Sequence, residues 1–419
     1  MTAIEPAPIM STPGARNAKP EPQYNAAPQY YPAPGYLRAF LTLLVVAHHA
    51  FLAYHPYAPP PSAKFSTPPL LWAAFPIVDS QRWQGIDLLI GFNDIFFMSL
   101  MFFLSGLFVW PSLARKGAGK FVRDRFWRLG LPFVLAAGVL APLAYYPAYR
   151  LTGADPGLAA FWKAWWSLSF WPAGPAWFIW VLLAFGCLAT ALYKFAPEFG
   201  NAAGRLTMVG KRYPIVSFLL LVAVSAIAYL PLAFAVSPLD WFSFGPFSVQ
   251  TSRILHYAVY FLAGIGVGAC GTDLGLLAPD GKLARRWFLW IPAALAAFVL
   301  AIGVFIAMLS KMARGPVGYG WMTLANFTFV LSCAASSFAL LAVFTRFARA
   351  RRRVFDVLAE NAYGIYLVHY PLVTWLQFAL LGAALSGAAK GSIVLLGAVT
   401  LSLVVTAAIR WEPVVGRII

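Results

Sequence analysis

Ten continuously apolar stretches follow one another along the chain, separated by shorter polar segments. Each has the length that an α-helix needs to cross about 30 Å of hydrocarbon. Apolar and polar residues do not alternate within them, as they would in the strands of a membrane barrel, so helices are favoured. The pattern predicts an all-α integral membrane protein with about ten transmembrane helices, at residues 37–54, 95–111, 129–149, 176–193, 213–236, 254–270, 287–309, 321–345, 362–381 and 392–409.

The first 35 residues contain many prolines and alanines and show no apolar period. Such a segment buries too little surface to offset its ordering entropy. We therefore predict a disordered cytoplasmic tail over residues 1–35, a membrane domain over residues 36–411 and a short cytoplasmic tail over residues 412–419.

Composition agrees with a membrane protein, because 61% of the residues are hydrophobic and only 11% are charged. Globular proteins carry about 25% charged residues. The net charge of +17 does not indicate a nucleic-acid partner, since all Lys and Arg residues except Arg38 lie in the terminal segments or in the connections between apolar stretches. If the N-terminus is placed inside, the connections between spans alternate between the outer and the inner side. Every inner connection then carries more Lys and Arg residues than any outer connection. The positive-inside rule then predicts that both termini are cytoplasmic. We expect a multi-pass protein of the inner membrane, surrounded by lipids.

Few ionisable side chains fall inside the predicted spans, and such residues are functional candidates because their burial in lipid is costly. Arg38 and His49 are eleven positions apart, which places both on one face of a helix with a rise of about 16 Å between them. His369, in the ninth span, reaches a comparable depth. His256 lies near the edge of its span and is predicted to be interfacial. Structural, hydrogen-bonded histidines remain the alternative.

A histidine at membrane depth suits general-base chemistry near neutral pH. Such a base would remove the proton from a hydroxyl nucleophile. The electrophile that this hydroxyl would most naturally attack is an activated acyl group. An acyl-CoA donor would need phosphate contacts, which Arg125 and Arg128 on the first inner connection can supply, three positions apart. The alternative for these arginines is a role in topology or in anionic-lipid binding.

Several further groups allow two interpretations each. Asp87 and Asp94 could orient a histidine or could simply complement a helix N-terminus. The aromatic residues of the second outer loop, residues 161–171, form either an interfacial belt or a platform for a sugar ring. Neither a metal nor a resident cofactor is predicted, since no metal-ligand spacing occurs at the three cysteines, Cys187, Cys270 and Cys333.

Five segments, in order along residues 36–411, resemble the motifs of the acyltransferase family 3 membrane proteins. Their first helix opens with an arginine followed by a histidine, as Arg38 and His49 do here. The other four are a Phe-Phe-x-Ser-Gly element, a basic loop, a fourth-helix motif and a penultimate-helix motif. These correspond to Phe102–Phe108, Phe121–Pro132, Trp177–Trp180 and Tyr363–Pro371.

The resemblance implies transfer of an acyl group, acetyl or succinyl, from acyl-CoA to a hydroxyl of an extracytoplasmic glycan or glycolipid. The family's essential arginine and histidine would be Arg38 and His49, and its donor-binding pair Arg125 and Arg128. Our hypothesis makes His49 the general base or a transient acyl carrier, with support from His369, Ser105, Tyr366 and Asp94. Two other readings stay open: a proton-coupled transporter or flippase for a polar lipid or sugar, and a non-catalytic assembly subunit.

Overall fold

The computed structural model describes residues 32–416 and residue 418. Most of the predicted tail at residues 1–35 lies outside the described residues, and helix α1 already begins at Ala33. Pro34 lies in the first turn, where a backbone N–H has no partner within the helix, so the proline removes no helical hydrogen bond. The described helices are α1 (Ala33–Leu52), α2 (Ile86–Gly106), α3 (Val109–Lys116), α4 (Ala118–Arg125), α5 (Leu131–Leu135), α6 (Ala141–Leu151), α7 (Leu158–Trp166), α8 (Trp177–Phe195), α9 (Glu198–Arg212), α10 (Pro214–Ala235), α11 (Ile254–Cys270), α12 (Lys282–Arg285), α13 (Trp287–Met312), α14 (Tyr319–Phe347), α15 (Arg353–Leu380), α16 (Gly387–Arg410) and α17 (Pro413–Gly416).

Nine helical stretches within residues 32–416 are long and apolar enough to cross a membrane. They coincide with nine of the ten predicted spans, so the all-α membrane class is confirmed. The remaining predicted span, residues 362–381, belongs to α15, whose 28 residues are also long enough. Polar residues such as His369, Thr374 and Gln377 lower the hydropathy of α15, and all three are buried in the protein. The span in α15 is therefore the least apolar one because it presents polar side chains to the interior of the protein.

Helices α2 and α11 approach closely because glycines line both of them. A Cβ atom on Gly264 would collide with the carbonyl oxygen of Phe103, and one on Gly268 with that of Leu107. From the other side, a Cβ on Gly106 would collide with the carbonyl oxygen of Phe261. Small residues allow membrane helices to pack backbone against backbone. The glycine of the Phe-Phe-x-Ser-Gly element thus has a packing role.

The helical stretch from Ala118 to Leu151 contains two π-helical segments, Phe126–Gly130 and Ala136–Leu140, each just before a proline. Proline lacks the N–H that a preceding carbonyl would accept, so that carbonyl needs another donor. Neighbouring side chains supply these donors, as proline within membrane helices requires. The indole N–H of Trp171 donates to the Ala137 carbonyl at 3.0 Å, and that of Trp375 to the Leu143 carbonyl at 2.9 Å.

Strands β1 (Trp241–Phe244) and β2 (Phe247–Gln250) form an antiparallel hairpin between α10 and α11. Gly245 in its turn has φ of +55°, a conformation that favours glycine. The hairpin is attached to α8, since the indole N–H of Trp180 donates to the Ser248 carbonyl at 2.9 Å. The attachment brings Trp241 against Trp177, with ring centroids 5.7 Å apart.

The structure adds the surroundings of three polar residues to what the apolar pattern indicates. The predicted spans contain no Asp, Glu or Lys, but α2 and α16 begin earlier than their apolar stretches and include Asp94 and Lys390. Lys390 pairs with Asp79 at 2.8 Å, and both side chains are 1% exposed. The ion pair offsets both charges, so α16 can begin before its apolar stretch begins. His256, predicted to be interfacial, is fully buried, with Nε2 3.4 Å from Sγ of Cys333.

Candidate active site

Arg38 and His49 both project from α1 toward α15. The guanidinium of Arg38 donates to the Ala359 carbonyl at 3.5 Å, and the ring of His49 meets His369. Eleven residues separate the two contacts on α1 and ten separate them on α15, so the two helices run side by side in the same direction. The shared face expected from helical geometry is therefore the face that packs on α15.

His49 and His369 form a histidine pair, with Nδ1 of His49 3.3 Å from Nε2 of His369. Each Nδ1 also lies beside a main-chain carbonyl, that of Val45 at 2.8 Å for His49 and that of Tyr366 at 2.6 Å for His369. A carbonyl only accepts hydrogen bonds, so both Nδ1 atoms carry the proton in the neutral rings. Nε2 of His369 is then a second acceptor for the His49 Nδ1–H. The Nε2 atom of His49 keeps its lone pair.

Aromatic and amide side chains of α15 hold the histidine pair in place. The ring of Tyr370 packs edge-on against His49 with centroids 5.1 Å apart, and the ring of Tyr366 lies beside His369. The Tyr366 hydroxyl donates to the Pro175 carbonyl. Gln377 donates to the carbonyls of His49 and Ala50 at 2.8 and 3.1 Å. These carbonyls belong to the last turn of α1, whose acceptors have no partner within the helix.

A cavity lies next to this site, with an empty volume of about 290 Å³ that includes its open mouth. Tyr366 and Tyr370 contribute to its lining, and alanines, prolines and aliphatic residues complete it. The two tyrosines therefore border the cavity and also contact the histidine pair.

Arg125 and Arg128 lie close to the Arg38 end of α15. The guanidinium of Arg125 stacks over the ring of Phe121 at 4.9 Å. The Tyr363 hydroxyl on α15 donates to the Arg128 carbonyl at 2.7 Å. The positive charge of Arg128 interacts with those of both Arg38 and Arg125. Three arginines therefore gather at one end of α15, and the histidine pair lies further along the same helix.

The structure does not bring the remaining candidates to His49. The Ser105 hydroxyl donates to the Met101 carbonyl of its own helix at 2.8 Å, and among the described residues it has no recorded contact with either histidine. Asp94 pairs with Arg253 at 2.7 Å instead of with a histidine, although His48 lies within electrostatic range. No group of three or more His, Cys, Asp or Glu suited to a metal ion occurs in the described part of the chain.

Sequence reasoning missed Tyr363, Tyr370 and Gln377 as members of this site. The first two lie inside the penultimate-helix motif, so the motif itself was an available signal. Gln377 lies outside that motif, and only the packing of α1 against α15 reveals its role. In the aromatic loop, Phe161 and Trp165 are buried, whereas Trp166 is exposed.

Together, the helices and the histidine pair define a multi-pass membrane protein with arginines at one end of α15 and a pair of histidines held between α1 and α15. The family model described as an acyltransferase domain matches residues 31–411, nearly the whole chain. The chain belongs to this family, the acyltransferase family 3. No curated protein and no solved structure matches it.

Proposed function

We propose that this membrane acyltransferase moves an acetyl or succinyl group from acyl-CoA to a hydroxyl of an extracytoplasmic glycan or glycolipid. The observation that carries the proposal is the histidine pair, because it leaves a lone pair on Nε2 of His49 inside the helix bundle. Loop charge supports an inner-membrane topology with the arginine end of α15 toward the cytoplasm. The donor would then enter from the arginine end and the acceptor from the other.

The arginine cluster supports a phosphate-bearing donor. Arg125 and Arg128 present two guanidinium groups, which bind phosphate oxygens in bidentate fashion. Arg128 and Arg38 are both exposed, and their charges lie within electrostatic range of each other. Acyl-CoA has its phosphates at one end and its thioester at the other. Its phosphates would bind Arg125 and Arg128, and Arg38 would orient the thioester toward His49.

The proposed reaction is a direct displacement. Nε2 of His49 accepts the proton of the acceptor hydroxyl while the hydroxyl oxygen attacks the thioester carbonyl carbon. The carbon–sulfur bond breaks, and the CoA thiolate takes the proton back from the imidazolium. The products are an ester and CoA. The carbonyl of Val45 and Nε2 of His369 stabilise the transient positive charge, because both accept from the His49 Nδ1–H.

The test uses the purified full-length chain in lipid nanodiscs with labelled acetyl-CoA or succinyl-CoA. The acceptor is de-O-acylated envelope glycan from cells that lack the gene. We expect CoA release and labelled glycan, and His49→Ala should lower the rate by about 10²–10⁴-fold. His55→Ala, which removes an imidazole from the loop after α1, is the matched control and should keep the rate.

Two results would contradict the proposal. Full activity of His49→Ala would remove the assigned base. Uptake of a sugar or lipid into vesicles without CoA release would instead support a transporter or flippase.

A further inference from the structure

A carboxylate with a free oxygen, that of Asp94, lies in the third turn of α2. Arg253 binds Asp94 twice, through Nη2 to the carboxylate Oδ2 at 2.7 Å and through Nη1 to the main-chain carbonyl at 3.0 Å. Arg253 is itself buried and stacks over Phe329 at 4.7 Å. The Asp94 side chain is fixed by these contacts and still 50% exposed. Among the described residues, none forms a recorded hydrogen bond with Oδ1 of Asp94.

Asp94 also stands near the histidine helix, because its charge interacts with that of His48. His48 is the residue before His49, and its ring packs on Phe97 of α2 at 5.3 Å. The carboxylate is thus held by Arg253, just before α11, and lies within electrostatic range of the residue that precedes the proposed base.

Aromatic rings extend from this carboxylate to the β-hairpin. Tyr257 interacts with Arg253 and stacks on Trp177 with ring centroids 5.7 Å apart. Trp177 in turn meets Trp241 of β1 at 5.7 Å, with the two ring planes near perpendicular. Trp241 is 48% exposed, so part of its ring is open to a ligand.

We propose that Asp94, Trp177 and Trp241 form the subsite that binds the acceptor sugar ring, which rests on the function proposed above. The carboxylate accepts hydrogen bonds from ring hydroxyls near the one that is acylated. The exposed ring of Trp241, held by its edge-to-face contact with Trp177, covers the apolar face of a sugar ring.

The chemistry of the subsite selects a polyol ring. An ionised carboxylate only accepts hydrogen bonds, so its free oxygen needs a donor such as a hydroxyl. The ion pair with Arg253 neutralises the carboxylate, which disfavours a simple cation as its ligand. Hydrogen bonds to an ionised acceptor are about twice as strong as neutral ones. Aromatic rings add apolar contact area and leave specificity to a few polar groups, as is usual for small-ligand sites.

The experiment measures Michaelis constants for both substrates with full-length protein in nanodiscs, using acetyl-CoA and the de-O-acylated envelope glycan. Asp94→Asn should raise the acceptor KM about tenfold or more and leave the donor KM unchanged. Trp241→Ala, on an exposed hairpin position that does not threaten the fold, should also raise the acceptor KM several-fold. Asp87→Asn, the same change two helical turns earlier on α2, should leave both constants unchanged.

The outcomes separate this inference from the proposed function. If the unaltered protein releases no CoA and labels no glycan, the proposed function fails. If it is active but Trp241→Ala and Asp94→Asn leave the acceptor KM unchanged, the subsite is wrong. A fall in kcat of Asp94→Asn at constant acceptor KM would also overturn it, because Asp94 would then act on the chemical step.

Discussion

Nε2 of His369 lies 3.3 Å from Nδ1 of His49, although the two residues are 320 positions apart in the chain. The contact exists because α1 and α15 run in the same direction with Arg38 beside Ala359 and His49 beside His369. One helix, α15, therefore contacts the imidazole of the proposed base and also carries Tyr363, which binds the main chain at Arg128.

His369→Leu should lower kcat about tenfold, because it removes an acceptor that stabilises the protonated His49. His369→Gln should recover part of the loss, since an amide oxygen can also accept from the His49 Nδ1–H. The donor KM should stay constant in both variants. Steady-state kinetics with varied acetyl-CoA checks this, and equal rates for Leu and Gln variants would show that the second acceptor has no role.

The helices and their shared faces follow from local geometry, which is why the sequence predicts them. Arg38 and His49 come to one face because an α-helix turns 100° per residue, whatever lies around it. The contact between His49 and His369 depends on how two distant helices pack, and no local pattern encodes that register. Helices α2 and α16 begin before their apolar stretches, at positions that include Asp94 and Lys390, for a related reason. Their partners, Arg253 and Asp79, make these charges tolerable where the apolar pattern has not yet begun.

Arg128→Ala should raise the KM for acyl-CoA about tenfold with little change in kcat, because a guanidinium contact to phosphate is a charge-assisted hydrogen bond. The substitution keeps the main-chain carbonyl that Tyr363 binds, and thermal unfolding in detergent checks that the variant folds. Arg123→Ala, an exposed arginine five positions earlier, serves as the control. A donor KM that is equal in both variants would assign Arg128 to topology or lipid binding.

Gly264→Ala should destabilise the protein by about 1–3 kcal/mol, because its methyl group would overpack against the Phe103 carbonyl of α2. Gly303→Ala is the matched control, since a Cβ there meets nothing within 4 Å and the substitution favours helix. Thermal unfolding in detergent should therefore show opposite shifts for the two variants. Equal shifts would mean that α2 and α11 separate without cost.

The ion pair of Lys390 and Asp79 anchors the loop after α1 to α16. Asp79 donates its N–H to the Ala53 carbonyl at 3.0 Å and accepts from the Gln81 N–H at 2.8 Å through Oδ1. Lys390 also donates to the Leu381 carbonyl at 3.2 Å. The pair thus joins the loop after α1 to the turn between α15 and α16, next to the C-terminal end of α1.

Lys390→Met should cost about 3–5 kcal/mol of stability, because it leaves the Asp79 charge buried without a partner. The double variant Lys390→Met with Asp79→Asn should regain most of this loss, since it removes both charges and keeps an oxygen for the Gln81 N–H. Thermal unfolding of the three proteins in one detergent measures the difference. If the double variant is as unstable as the single variant, the loss comes from the missing attraction between Lys390 and Asp79. The unpaired charge of Asp79 would then not be its main cause.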